Sequence, residues 1–75
     1  MRNKVLTFQS THHVLKAEKI LIEAGFKFDI IPTPKNISSD CGMSIRLDSE
    51  SSDMSFLSDV LTYNNIIFQI YDYKI

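Results

Sequence analysis

The chain has 75 residues, 44% of them hydrophobic with five Phe and three Tyr, and eight basic against nine acidic side chains leave a net charge of −1. That length makes one α/β sandwich domain over residues 1–75 with a small core, and the aromatic and β-branched content excludes a disordered chain. No basic block is present to follow a phosphate backbone, which excludes a nucleic-acid partner from the expectation, and a single cysteine, Cys41, excludes an internally stapled secreted scaffold.

Val5-Leu6-Thr7-Phe8 is an apolar run of strand formers and reads as the first strand. Ser10-Thr11 follows, and either hydroxyl is suited to cap a helix start. Val14, Ala17, Leu21 and Ala24 then recur at three- and four-residue spacing, joined by Ile20, with Lys16, Lys19 and Glu23 on the complementary faces. That pattern is an amphipathic helix, stopped by Gly25. Phe26, Phe28 and Ile30 alternate with Lys27 and Asp29 as a second strand, ended by Pro32 and Pro34, which lack the N–H a ladder needs. Met43, Ile45 and Leu47 alternate with Ser44, Arg46 and Asp48 as a third strand. The run Ser49 to Asp53 breaks it and supplies a cap for a second helix carrying Met54, Leu57, Val60 and Leu61. Asn64-Asn65 is a turn pair, and Ile66, Phe68 and Ile70 alternate with Ile67, Gln69 and Tyr71 in the last strand.

The order strand-helix-strand, strand-helix-strand predicts the split β-α-β, or ferredoxin-like, design: an α+β domain with a four-stranded antiparallel sheet and two helices on one face. Right-handed crossover puts the third strand between the first and second, and the fourth at the opposite edge. The expected core is Val14, Ala17, Leu21, Phe28, Ile45, Leu57, Leu61 and Phe68. The face away from the helices is expected to carry Ile67, Tyr71 and Tyr73, a surface suited to a homodimer contact. No apolar run near the start is long enough for a signal peptide, and none approaches the roughly 20 residues that cross a bilayer. A cytoplasmic location without membrane contact is the expectation.

The topology brings the loops leaving the first two strands to one end of the sheet, so Ser10 to His13 should lie near the connection Thr33 to Cys41. Hairpins need about 2–5 loop residues. This connection is longer, and long loops in minimal domains more often serve function than not. Gly42 allows a tight turn beside the sulfur.

These segments resemble a known family. Ser10-Thr11-His12-His13 with Ala17-Glu18, then Pro32-Thr33-Pro34-Lys35, then Ser38-Ser39-Asp40-Cys41-Gly42 and Arg46 are similar to a small bacterial domain family of selenium/sulfur carrier-like proteins, otherwise of unknown function. The family commonly has Arg after the second Pro, where this chain has Lys35, which keeps the charge and loses bidentate anion recognition. The resemblance implies that the Cys41 thiol carries sulfur or selenium as a persulfide-like adduct, exchanged with a protein donor or acceptor.

A thiol of pKa about 8.5 is only about 3% ionised at pH 7, whereas about 6.5 gives roughly three quarters, a shift of about 2.7 kcal/mol. A helix N-terminus supplies roughly 0.3–1 kcal/mol, and up to about 2 when partly buried. Lys35, or a protonated His12 or His13, therefore has to contribute, while Asp40 opposes. Ser38 and Ser39 are candidate hydrogen-bond donors to an anion, although adjacent loop serines are more often solvated turn formers. Arg46 stands five residues from Cys41, roughly 16 Å along an extended strand, so direct contact is disfavoured. His12 and His13 point about 100° apart on a helix, which disfavours a shared zinc ion, and no metal or cofactor is expected. No Ser/His/Asp order, carboxylate pair or phosphate-cradling glycine loop supports stand-alone catalysis. The competing reading is a non-catalytic interaction or regulatory module using the open sheet face. RNA binding lacks the basic charge and the central-strand aromatics it needs.

Overall fold

The computed structural model describes residues 3–37, 42–48, 50 and 53–73. The elements run β1 (Asn3–Phe8), α1 (Thr11–Glu23), β2 (Asp29–Pro32), β3 (Met43–Asp48), α2 (Met54–Tyr63) and β4 (Phe68–Tyr73). The four strands form one antiparallel sheet in the order β2-β3-β1-β4, the order expected of the split β-α-β design. Since β1 and β2 each pair antiparallel with β3, they run in the same direction and leave the sheet at the same end.

Strand parity sorts the two faces. Leu6 and Phe8 of β1, Ile45 and Leu47 of β3 and the partly buried Met43, Ile30 and Phe68 join Val14, Ala17 and Leu21 of α1 and Leu57 and Leu61 of α2 in one core. Six of the expected core residues are fully buried, namely Val14, Ala17, Leu21, Ile45, Leu57 and Leu61. Phe28 and Phe68 are only partly covered, because Phe28 precedes the edge strand β2 and Phe68 opens the edge strand β4, with no strand beyond either. The fully buried leucines each contribute roughly 1.5–3 kcal/mol by leaving water.

Both helices end on the same device. After α1, Gly25 (φ 88°) occupies the left-handed position, its N–H donating to Ile22 O, while Phe26 N–H donates to Leu21 O at 3.0 Å. After α2, Asn65 (φ 61°) takes that position, with Asn65 N–H to Thr62 O and Ile66 N–H to Leu61 O at 3.0 Å. Each is a Schellman stop with its apolar closing contact. This corrects two expected strand starts. Phe26 and Ile66 commit their amides to the helix behind them and cannot join a ladder, so β2 begins at Asp29 and β4 at Phe68. The apolar alternation ran on because Phe26 still packs against the core and stacks on Phe56, 5.8 Å between ring centres.

The helix starts differ. Asp53 caps α2, its carboxylate accepting the Phe56 amide at 3.0 Å. Ser10 precedes α1 without a side-chain cap bond, because its hydroxyl bonds the His13 ring instead.

Asn65→Ala should lower stability by about 1 kcal/mol, since a Cβ without a local polar partner disfavours the left-handed region, whereas Asn65→Gly should match or exceed the parent. Urea denaturation of both variants measures this; an alanine variant as stable as the parent would contradict the assignment.

Candidate functional site

The β2–β3 connection is built from a rigid stem. Thr33 N–H donates to Gly42 O at 3.2 Å and closes the hairpin beyond the last strand pair, Pro32 with Met43. The Thr33 and Ser44 hydroxyls bond each other at 2.6 Å, and Ser44 is fully buried. Ile37 N–H donates to Pro34 O at 3.0 Å, so Lys35 and Asn36 are held in a tight turn. Pro32 and Pro34 donate nothing and fix φ on either side of Thr33. The first half of the loop is thus ordered by local chemistry. Ser38, Ser39, Asp40 and Cys41 lie outside the described residues; Gly42, immediately after Cys41, is exposed.

Two of the sequence-predicted residues come together. Lys35 and Arg46 line one groove of about 610 Å³ on the face away from the helices. Ile31, Pro32, Thr33 and Pro34 form its wall on the loop side, and Tyr73 closes it from β4. Arg46 is anchored by an ion pair to Asp29, its cross-strand partner on β2. The middle of this face is not bare. Val5 is fully buried although it points away from the core, flanked in its row by the longer Tyr71 and Arg46. Tyr71 and Tyr73 are half-buried, the Tyr71 hydroxyl bonding Gln69, while Ile67 is 68% exposed.

The two histidines lie elsewhere. His12 is exposed on the first turn of α1, and half-buried His13 shares a 2.8 Å hydrogen bond between Nδ1 and the Ser10 hydroxyl. Their rings meet edge-on at 6.1 Å. Neither lines the groove, since α1 covers the opposite face; they share the end of the sheet where β1 and β2 exit with only its Pro32 to Lys35 part. Among the described residues no three His, Cys, Asp or Glu side chains gather as a metal site, and no helix is long and apolar enough to cross a membrane.

Sequence reasoning missed Tyr73 as a groove wall, the Asp29 anchor and the Thr33–Ser44 pair. The alternation placed Asp29, Ser44, Arg46 and Tyr73 on one face, but only the register sets Asp29 beside Arg46 and Ser44 beneath Thr33.

This architecture, with its long stapled loop carrying the chain's cysteine, defines a small α+β domain of β-α-β-β-α-β order. The family model described as "Putative Se/S carrier protein-like" matches residues 3–71, and the chain belongs to that family. No curated protein and no solved structure gives a match.

Thr33→Val and Ser44→Ala should each destabilise by about 1 kcal/mol, and together by clearly less than their sum, because the second change removes a group already left without its partner. A double-mutant cycle in urea tests the pairing; strict additivity would contradict it.

Proposed function

We propose that this protein is a relay for sulfur or selenium, carried on the Cys41 thiol and passed between protein partners in the reducing cytoplasm. In loading, the Cys41 thiolate attacks the outer sulfur of a donor persulfide. A new S–S bond forms as the donor's breaks, and the donor thiolate leaves with the bonding pair. In delivery the acceptor's nucleophile attacks that outer sulfur and Cys41 departs as thiolate. Each step exchanges one bond for another, so no outside oxidant or reductant is required.

The observation that carries this reading is the family match, which runs through the loop containing Cys41. The loop's construction supports it. Bonds from Thr33 and Ile37 hold the approach to the cysteine, and the turn keeps Lys35 at a set place on that approach. A cation close to a cysteine favours its thiolate, both for attack and as leaving group. Lys35, His12 and His13 are the proposed thiolate-stabilising cations, with Ser38, Ser39 and the Gly42 backbone as proposed contacts for the carried atom. The alternative, an interaction module on the open face, is weakened by the covered centre of that face, where Val5 and Ser44 are fully buried.

The alkylation rate of Cys41 against pH tests the proposal. A midpoint well below about 8.5 is expected. Lys35→Ala should raise the midpoint by removing a cation, and Asp40→Asn should lower it by removing an anion. A midpoint near 8.5 that is unmoved by Lys35→Ala, and by His12→Ala with His13→Ala, would make Cys41 an ordinary thiol and sink the relay.

A further inference from the structure

The groove on the open face has a chemistry the relay does not by itself require. Its two cationic side chains come from different elements, Lys35 from the turn after β2 and Arg46 from the middle of β3. None of the described residues lining it is acidic. Thr33, which also lines it, donates its amide to the carbonyl of Gly42, the residue that follows Cys41. At about 610 Å³ it has room for a small ligand, within the roughly 300–1,000 Å³ of such sites. Arg46 is held from the side by the exposed Asp29, which engages one guanidinium nitrogen and orients the group. Tyr73 and the prolines give the groove apolar walls beside its two cations.

From this arrangement we infer that the groove binds the oxyanion end of a small sulfane-sulfur donor, of which thiosulfate is the simplest. The inference rests on the relay reading and names a second class of donor beside protein persulfides. Lys35 and Arg46 would hold the sulfonate-like oxygens, leaving the outer sulfur free for attack. Transfer then balances: the Cys41 thiolate bonds the outer sulfur, the S–S bond of thiosulfate breaks, and sulfite leaves with the bonding pair. The protein is left as its persulfide. Asp29 has a distinct role here. Its carboxylate competes with an incoming anion for Arg46, so it orients the guanidinium while restraining affinity.

Binding can be read without transfer in the Cys41→Ser protein, isotopically labelled for nuclear magnetic resonance and titrated with sodium thiosulfate or sodium sulfate. Sodium chloride at equal ionic strength is the control. Saturable shifts are expected at the Thr33, Lys35 and Gly42 amides and at Arg46 Nε, with both sulfur oxyanions and not with chloride. Lys35→Ala, a change at an exposed turn, should weaken binding several-fold, and adding Arg46→Gln should bring the loss to at least about tenfold. Asp29→Asn should tighten binding a few-fold by freeing Arg46. Shifts that never saturate, that chloride reproduces, or that persist unchanged in the Lys35→Ala, Arg46→Gln protein would overturn the inference. A depressed Cys41 midpoint with no oxyanion binding would leave the relay standing and remove only this donor class. Binding with an ordinary thiol midpoint would establish the groove and remove the relay.

Discussion

Everything at the candidate site hangs on the register of β3. This strand lies between β1 and β2, and its alternate residues serve two different surfaces. Ile45 and Leu47 enter the core, while Ser44 and Arg46 face away from the helices. The same pairing that sets Ile45 against Leu6 and Ile30 therefore sets Ser44 beneath Thr33 and Arg46 beside Asp29. A slip of one residue would drive Arg46 into the core and expose Ile45, so the hydrophobic term that selects the fold also positions the cation. Core burial at β3 is thus the force that places Arg46 in the groove.

The loop gains its order from the same place. A hairpin connection of this length would ordinarily sample many conformations, each with its own placement of the cysteine. Here the stem is tied to the buried hydroxyl of Ser44, closed at Thr33 and Gly42, and bent at Pro34 to Ile37. The constraint falls on the half that precedes the Ser38–Cys41 segment. Proposed cationic support is divided by the sheet: Lys35 and Arg46 share the open-face groove, and His12 and His13 sit at the start of the helix on the other face. Lys35, His12 and His13 lie toward the end of the sheet where β1 and β2 exit, whereas Arg46 stands in the row of Val5 and Asp29, nearer the start of β2.

Much of the fold was legible because periodicity and stop signals are local. Val14, Ala17 and Leu21 identify α1, and Gly25 ends it for a reason contained in six consecutive residues. The strand starts were less legible. Phe26 and Ile66 have the right apolar phase for a strand, yet hydrogen bonding to Leu21 and Leu61 assigns their amides to helix stops. Ser10 reads as an N-cap, and only the structure shows its hydroxyl bonded to the His13 ring. The groove was the least legible feature, since Tyr73 and Lys35 are distant in sequence and meet only through the order β4-β1-β3-β2. Cys41 was conspicuous from its loop and its motif, with Ser38, Ser39 and Gly42 around it; no periodicity could say what surrounds its sulfur.

The central claim is that this one sulfur atom accepts and gives up cargo. Intact-mass measurement after exposure to a low-molecular-weight persulfide, followed by removal of excess donor, tests it most directly. The account predicts a single added sulfur on the peptide containing Cys41, absent from the Cys41→Ser protein and released when a thiol acceptor is supplied. A protein that stays unmodified, or that gains sulfur no faster than an unstructured peptide of the same loop, would contradict it.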